Sequence, residues 1–286
     1  MRPQLTTVLR RAASWPVPHP HSSPVPLDGA DEVRRRALAA TGSPRAADAV
    51  VATWHTLPPM QQGAVLDPAG RLARVGRQID ETTCGSAVLG MLAATGDPSL
   101  AIWLVTGVLP ADVPSPPEMV GAPQGALALL AREPAERRFA ALQRVLKRRS
   151  TERALLGLPW PGMFGTPPWG AARVARFPGV AYHHEPLDDT DRAVLSGVLD
   201  AVIEAATAGI PVPLYSGGDT AQGLRTAVPR HVVLVVGSGP RGLKVFEPSA
   251  GSVLTVSKAA LLAGARPLPA LGGWRHLTWV LAPHPA

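Results

Sequence analysis

A nearly continuous run of apolar and small residues follows residue 83, and both of its ends carry helix signals. Asp80 and Thr83 are residue types that cap a helix N-terminus, and Gly96 stops the run. We therefore predict a helix over residues 83–95. A second apolar stretch, which begins with a proline, predicts another helix over residues 98–108.

The second half of the chain consists of short β-branched runs separated by turns, with one amphipathic helix among them. That helix is predicted over residues 189–208, and a shorter one over residues 257–262. The pentapeptide at residues 238–242 is typical of a hairpin connection. The predicted strands are residues 180–186, 212–215, 231–237, 243–247, 252–256 and 275–282. Helices followed by an antiparallel sheet predict an α+β fold.

The N-terminal residues 1–45 have the composition of a tail, because prolines alternate there with Ser and His. Such a composition favours extended, poorly packed chain, with one short helix expected over residues 31–40. The remaining residues, 46–282, are predicted to form one domain. Its helical part spans about residues 76–178, and its β-rich part spans about residues 179–282.

Two features lie between the predicted helices and the predicted sheet. A basic helical stretch covers residues 124–152, and Pro134 must kink or split it. A loop rich in Pro, Gly and Trp follows at residues 157–170. Trp160 and Trp169 in this loop are expected to pin it to the core rather than to wall a cleft.

Composition limits the classes of function. The apolar fraction is 46%, which excludes a chain disordered throughout, since enough apolar surface is available to offset the ordering entropy. The net charge of +7 is spread out, and its densest clusters are residues 34–36 and 144–153. With only 2 Tyr and 4 Phe for stacking on bases, a solvated face is favoured over nucleic-acid binding. The sequence contains no run of about 18 apolar residues, so no membrane span is predicted.

Cys84 is the only cysteine, so the chain has no internal disulfide and no Cys-rich metal site. The first residues lack the apolar stretch of a secretory signal peptide, and we therefore predict a cytoplasmic protein. His183 and His184 are neighbours on a predicted strand, where successive side chains point to opposite faces. They are therefore not expected to bind one metal ion together, and no cofactor is predicted.

The segment around Cys84 carries the most chemical information. A thiol at the start of a helix meets the positive end of the helix dipole and unpaired N–H groups, which stabilise a thiolate. Gln78 lies six residues upstream, on the loop that enters the helix. Its amide and the Cys84 backbone N–H are predicted to form a two-donor oxyanion hole. Gly85 is expected to leave the approach to the sulfur uncrowded.

A base and an orienting acid are predicted on the hairpin. His231 opens an apolar strand, and Glu247 ends the strand that follows it. Because the turn lies near residues 238–242, the hairpin brings these two strand ends together. Glu247 can then accept a hydrogen bond from the His231 ring, fix its tautomer and stabilise the imidazolium.

Taken in order, these residues resemble the papain-like cysteine peptidases, and most closely the branch that includes the double-glycine leader peptidases. The likeness consists of Gln78 six residues before Cys84-Gly85, a strand that opens with His231, and Glu247 directly before a proline. It implies a helical lobe, carrying the Cys helix, packed on an antiparallel sheet lobe. By the same resemblance Cys84 is the nucleophile, His231 the general base, Glu247 the orienting acid and Gln78 the oxyanion donor.

This chain departs from the family at two points. The family usually has Asp or Asn where Glu247 stands, and a longer acid must hold the histidine from further back. The 147 residues that separate Cys84 from His231 exceed the spacing in the leader peptidases. They include the basic stretch and the Trp-containing loop, so the resemblance does not identify the substrate.

The resemblance predicts a hydrolase of a peptide or other amide bond that acts through an acyl-enzyme at Cys84. Two alternatives use the same residues. An amine acceptor would make the protein an acyltransferase or transpeptidase, and loss of activity would leave a binding or scaffold domain. Asp219 has two interpretations, as a residue at the mouth of the site or as part of a hydrophilic turn.

Overall fold

A computed structural model describes residues 28–120, 126–218 and 229–286. Within these ranges the chain has a mixed α+β fold in which helices pack on one open antiparallel sheet. The helices are α1 Gly29–Thr41, α2 Pro44–His55, α3 Pro59–Leu66, α4 Pro68–Arg71, α5 Cys84–Gly96, α6 Pro98–Thr106, α7 Ala126–Leu130, α8 Ala135–Thr151, α9 Pro168–Val174, α10 Arg192–Thr207 and α11 Lys258–Ala263. The strands are β1 Val180–Pro186, β2 Val212–Gly217, β3 His231–Gly239, β4 Gly242–Glu247, β5 Ser252–Val256 and β6 His276–Pro285. Short 3₁₀ turns cover Pro117–Met119, Gly162–Phe164 and Pro269–Leu271.

The six strands lie in the order β1-β6-β2-β3-β4-β5, and every neighbouring pair is antiparallel. β3 and β4 form a tight hairpin in which Gly239 pairs with Gly242. His231 at the start of β3 and Glu247 at the end of β4 therefore reach the same edge of the sheet. Ser216 of β2 lies opposite His231 on the other side of β3.

Helix α5 occupies the centre of the helical part, between β3 and α8. Twelve of its thirteen residues are buried, as expected for a helix that is apolar on all sides. Phe139, Leu142 and Leu146 form the buried face of α8 and belong to the same core cluster as α5. The first residue of α5 is thus fixed by packing on both sides of the helix.

The N-terminal helix is longer and better packed than the composition predicts. α1 packs against α2, and Val33 and Ala37 are fully buried in a second apolar cluster. The buried Arg36 guanidinium donates hydrogen bonds to the carbonyl of Thr95 and to two carbonyls at the end of α3. The prediction of a poorly packed tail is therefore wrong for residues 29–45. Residues 1–27 lie outside the described ranges.

Most differences between predicted and observed element ends have a local cause. α10 begins at Arg192 rather than at residue 189 because the Asp191 carboxylate caps it, accepting from the N–H groups of the second and third helical residues. Pro134 separates α7 from α8. α9 starts inside the predicted loop, at Pro168, where a proline suits the first helical turn.

α5 and α6 meet at Asp97, whose side chain caps α6 by accepting from the Ser99 N–H. The two helices are bent by 112° relative to each other. Across the described ranges, no single helix has both the length and the apolar composition of a membrane span, although this bent pair together meets both criteria.

A buried ion cluster ties α6 to the segment before β1. The Arg176 guanidinium donates to Asp97 at 2.8 Å and to Glu118 at 2.6 and 2.7 Å. Burial lowers the pKa of Arg176, but the hydrogen bonds and charges of the two carboxylates outweigh this effect and raise it above its usual value. Both carboxylates are almost completely buried, and Arg176 is the cation that hydrogen-bonds to both of them.

We expect Arg176→Met to lower the free energy of unfolding by about 3–5 kcal/mol, because it leaves two buried carboxylates without their cation. Urea unfolding measures this change. The control is Arg34→Met, which breaks the exposed pair with Asp48 and should cost at most about 1 kcal/mol. Equal losses in the two variants would contradict the assignment.

Candidate active site

Cys84 is the first residue of α5, and only 4% of its surface is exposed. The first N–H with a partner inside the helix is that of Ala87, which donates to the Thr83 carbonyl. For the N–H groups of residues 84–86, no acceptor is recorded among the described residues. The sulfur therefore lies beside unpaired donors at the positive end of a helix dipole.

The turn before the cysteine is held by its own polar side chains. Thr83 Oγ1 accepts from the N–H groups of Ile79 and Asp80. The Asp80 carboxylate accepts from the N–H and the hydroxyl of Thr82, and Lys147 of α8 also donates to that hydroxyl. This turn fixes the direction from which the chain enters α5.

At the sheet edge, His231 Nε2 and Glu247 Oε1 are 2.6 Å apart. Both residues are buried, with 6% and 2% of their surfaces exposed. Glu247 also accepts from the N–H and hydroxyl of Ser249 and from the N–H of Ala250. These hydrogen bonds from the turn hold the Glu247 carboxylate rigidly against the imidazole.

The pKa values of the pair move in opposite directions. Burial lowers the pKa of His231, but hydrogen bonds and charge interactions with Cys84 and Glu247 outweigh it and raise the pKa from 6.5 to about 9. Burial raises the pKa of Glu247, but its hydrogen bonds with His231, Ser249 and Ala250 outweigh that effect and lower the pKa from 4.5 to about 2. At neutral pH the pair is therefore an imidazolium and a carboxylate.

Cys84 and His231 line one cleft. The Glu247 carboxylate contacts Nε2 of the imidazole, which leaves Nδ1 as the ring nitrogen that the acid does not use. The cleft encloses about 20 Å³, which is enough for a water molecule but too small for a peptide bond with its flanking residues. Its wall includes Glu81, Cys84, Met163, Phe164, Thr166, Tyr215, Arg230 and His231.

Gly272 packs flat against the imidazole. A Cβ at this position would lie 2.3 Å from Cδ2 and 2.6 Å from Nε2 of His231, and the φ of Gly272 is +66°. The Ser216 hydroxyl donates to the Leu271 carbonyl at 2.9 Å and so holds this segment over the ring. The absent side chain of Gly272 is therefore what lets His231 reach Glu247.

The hydrogen bonds of Gln78 lie within its own loop and on the turn after Glu247, and its role as an oxyanion donor stays a prediction. Its side-chain Nε2 donates to the Asp80 carbonyl at 2.9 Å, and its Oε1 is buried without a hydrogen-bond partner. Its backbone N–H donates to the Pro248 carbonyl at 2.9 Å. Gln78 thus links the loop before α5 to the turn after Glu247.

Gly85 packs closely against Thr166, and the expectation that it leaves the sulfur uncrowded stays a prediction. A Cβ on Gly85 would lie 2.6 Å from Cβ and 2.8 Å from Oγ1 of Thr166. The missing side chain lets the segment before α9 pack directly on the first turn of α5.

Tyr215 is a cleft residue that the sequence did not single out. Tyr215 is 1% exposed, and its hydroxyl has no hydrogen-bond partner in the part of the chain that the structure describes. Burial, and then the charge of Cys84, raise the pKa of Tyr215 well above 10, so the hydroxyl keeps its proton. In the sequence, a tyrosine in a buried strand is indistinguishable from a core residue, and only the pairing of β2 with β3 brings it to the cleft.

The segment that covers the cleft is anchored by aromatic contacts. Trp160 packs edge-to-face on Trp169 at 5.3 Å and on Phe164 at 6.0 Å. Trp169 donates to the Ala154 carbonyl. Met163 and Phe164, which border the cleft, expose 70% and 47% of their surfaces. The tryptophans therefore hold the segment in place, while its tip presents apolar side chains to solvent.

The two neighbouring histidines of β1 have different surroundings. His183 contacts Glu185 and the ring of His284, whereas His184 packs on Trp169. Over the residues with described coordinates, no group of three or more His, Cys, Asp or Glu side chains could hold a metal ion. Asp219 lies outside the described residues.

Comparison with known proteins adds no relative. The chain matches no protein-family model, no curated protein and no solved structure. The chemistry of the site therefore has to be inferred from its own geometry.

We expect Gly272→Ala to lower the free energy of unfolding by about 1–3 kcal/mol more than Gly273→Ala does, because an added methyl group must displace the His231 ring. Gly273 is the matched control, since its φ is +82° and a Cβ there would meet nothing within 4 Å. Urea unfolding of both variants tests this, and equal losses would mean that the ring does not depend on Gly272.

The two pKa shifts predict how stability depends on pH. A folded pKa of about 9 for His231 contributes stability that is fully present below pH 6.5 and is lost as the pH rises through 9. A folded pKa of about 2 for Glu247 contributes stability that is present above pH 4.5 and is lost as the pH falls through 2. Both contributions are therefore complete between pH 4.5 and 6.5.

We expect Glu247→Gln to move the alkaline loss of stability to lower pH, because it removes one of the interactions that raise the pKa of His231. Urea midpoints measured between about pH 5 and pH 10 locate that loss. Glu185→Gln is the control, since Glu185 faces His183 on β1 and not the cleft. If Glu247→Gln loses stability at the same alkaline pH as the unsubstituted protein, the pairing of His231 with Glu247 is contradicted.

Proposed function

We propose that this chain is a papain-like cysteine hydrolase that cleaves a peptide or other amide bond through an acyl-enzyme at Cys84. The observation that carries the proposal is that a helix-start thiol and an imidazole line one cleft, while a buried carboxylate holds the imidazole. An imidazolium beside a sulfur favours the thiolate, which is the nucleophilic form.

Each group has a defined task in the proposed reaction. Cys84 Sγ attacks the carbonyl carbon and forms a C–S bond, while the C=O π pair moves to the oxygen. When that pair returns, the C–N bond breaks and the His231 imidazolium gives its proton to the leaving amine. Water then attacks the thioester with neutral His231 as its base, and the C–S bond breaks to release the acid and the thiol. Glu247 stabilises the imidazolium throughout.

The small volume of the cleft adds one requirement to this scheme. A substrate carbonyl can reach Sγ only if the segment bearing Met163 and Phe164 moves outward, because both side chains line the cleft. The Trp160 and Trp169 contacts hold the base of this segment, so the proposed movement is confined to its exposed tip.

The test is the rate of thiol alkylation at low pH. At about pH 6, an activated Cys84 should react with iodoacetamide at least about tenfold faster than a free thiol, because a free thiol is mostly protonated there. His231→Ala should abolish this excess. His184→Ala is the control, since His184 packs on Trp169 and not against the sulfur.

Two results of this test would contradict the proposed function. If the intact protein alkylates no faster than a free thiol, or if His231→Ala leaves its rate unchanged, the chain is not a thiol hydrolase of this kind. The scaffold interpretation would then be favoured.

A further inference from the structure

Two buried hydroxyl groups in the cleft wall lack hydrogen-bond partners. Thr166 and Tyr215 are 5% and 1% exposed, and within residues 28–120, 126–218 and 229–286 neither Thr166 Oγ1 nor Tyr215 Oη has a hydrogen-bond partner. A buried donor without an acceptor is unfavourable, because it has lost its bonds to water and gained none in return. Such groups persist where a bound ligand supplies the missing acceptor.

Of the two hydroxyls, that of Thr166 lies against the start of α5. Thr166 Oγ1 is 2.8 Å from the point where a Cβ on Gly85 would be. That point belongs to the first helical turn, whose N–H groups at residues 84–86 have no recorded acceptor within the described ranges. A side-chain donor and main-chain donors are therefore adjacent on one wall of the Cys84 cleft.

Gln78, the donor that the sequence suggested, is engaged elsewhere. Its Nε2 donates to the Asp80 carbonyl, and that carbonyl also accepts from the Thr83 hydroxyl. The amide nitrogen of Gln78 therefore spends one of its two N–H donors on a loop carbonyl. The hydroxyl of Thr166, by contrast, has no hydrogen-bond partner among the described residues.

We infer that Thr166 Oγ1–H, together with the backbone N–H of Cys84, binds the oxyanion formed during acyl transfer. This inference rests on the proposed function. When Sγ attacks, the π pair of the carbonyl becomes a lone pair on its oxygen, and Thr166 donates a hydrogen bond to that oxygen while keeping its own proton. Such donors accelerate the reaction because they are already oriented where the negative charge develops.

The location of Thr166 also links this role to the covering segment. Thr166 lies two residues after the 3₁₀ turn Gly162–Phe164, and Pro168 begins α9 two residues later. Outward movement of Met163 and Phe164 would therefore occur next to a fixed residue. The donor stays on the wall packed against Gly85 while the tip opens.

Two reagents that differ in their need for an oxyanion test this inference. Iodoacetamide alkylates Sγ by displacement at a saturated carbon and forms no oxyanion, whereas p-nitrophenyl acetate acylates Sγ through a tetrahedral oxyanion. In Thr166→Val, alkylation should stay within about twofold of the unsubstituted protein, while p-nitrophenolate release should slow at least about tenfold, since loss of one oxyanion donor costs about 10²–10³ in kcat. Thr166→Ser, which keeps the hydroxyl, should restore acylation.

A merely structural role for Thr166 would show as a loss of stability in Thr166→Val. Thr166→Val removes an unpaired buried hydroxyl at nearly constant volume, so its thermal midpoint should not fall. If acylation is unchanged in Thr166→Val, or if Thr166→Ser fails to restore it, the inference is wrong. If Gln78→Ala slows acylation and Thr166→Val does not, the donor is Gln78.

Failure of the proposed function would look different from failure of this inference. In that case the unsubstituted protein itself would show no excess alkylation at low pH. If Thr166→Val fails to fold, Thr166→Ala replaces it as the variant without a hydroxyl, and Thr166→Ser remains the variant with one. The ratio of the acylation rate to the alkylation rate is then compared between these two variants.

Discussion

Two buried groups of opposite charge, the His231 imidazolium and the Glu247 carboxylate, share a 2.6 Å hydrogen bond at one edge of the sheet. Either charge would be strongly destabilised if it were buried without the other. The pairing depends on the β3–β4 hairpin, which brings residues sixteen positions apart to the same edge. The ring is confined from its other face by Gly272. The position of the imidazole is therefore determined by the sheet before any contact with the helical part.

The turn that follows Glu247 also connects the sheet to the helix that carries the thiol. Ser249 and Ala250 donate to the carboxylate from one side. Toward the helical part, the Pro248 carbonyl accepts from the Gln78 N–H, and the Ser249 carbonyl accepts from the Arg77 side chain. One short turn thus orients the acid and anchors the loop that enters α5. One main-chain hydrogen bond and one from the Arg77 side chain therefore link the turn that orients the acid to the loop that enters the Cys84 helix.

Around the cleft, the charged groups make several hydrogen bonds, whereas two neutral hydroxyl groups lack hydrogen-bond partners among the described residues. Glu247 accepts four hydrogen bonds, whereas the buried hydroxyls of Thr166 and Tyr215 make none. Full satisfaction of the carboxylate keeps the imidazole in one orientation. Under the proposed function, the unsatisfied hydroxyl of Thr166 is the cost of a donor prepared for a charge that exists only while a ligand reacts. This arrangement exchanges some folding stability for a site that needs no rearrangement of its donors.

The sequence alone determined the elements, because their signals are local. Apolar periodicity and capping residues located the helix that begins at Cys84, and β-branched runs located β1 and β5 at their observed ends. Alternating strands around a short turn also sufficed to bring His231 and Glu247 together. Tertiary structure decided what no local pattern encodes. Packing made α1 part of the fold, and put Thr166 against Gly85 and Gly272 against His231. These outcomes depend on contacts between segments far apart in the chain, where distance in space is unrelated to distance in sequence.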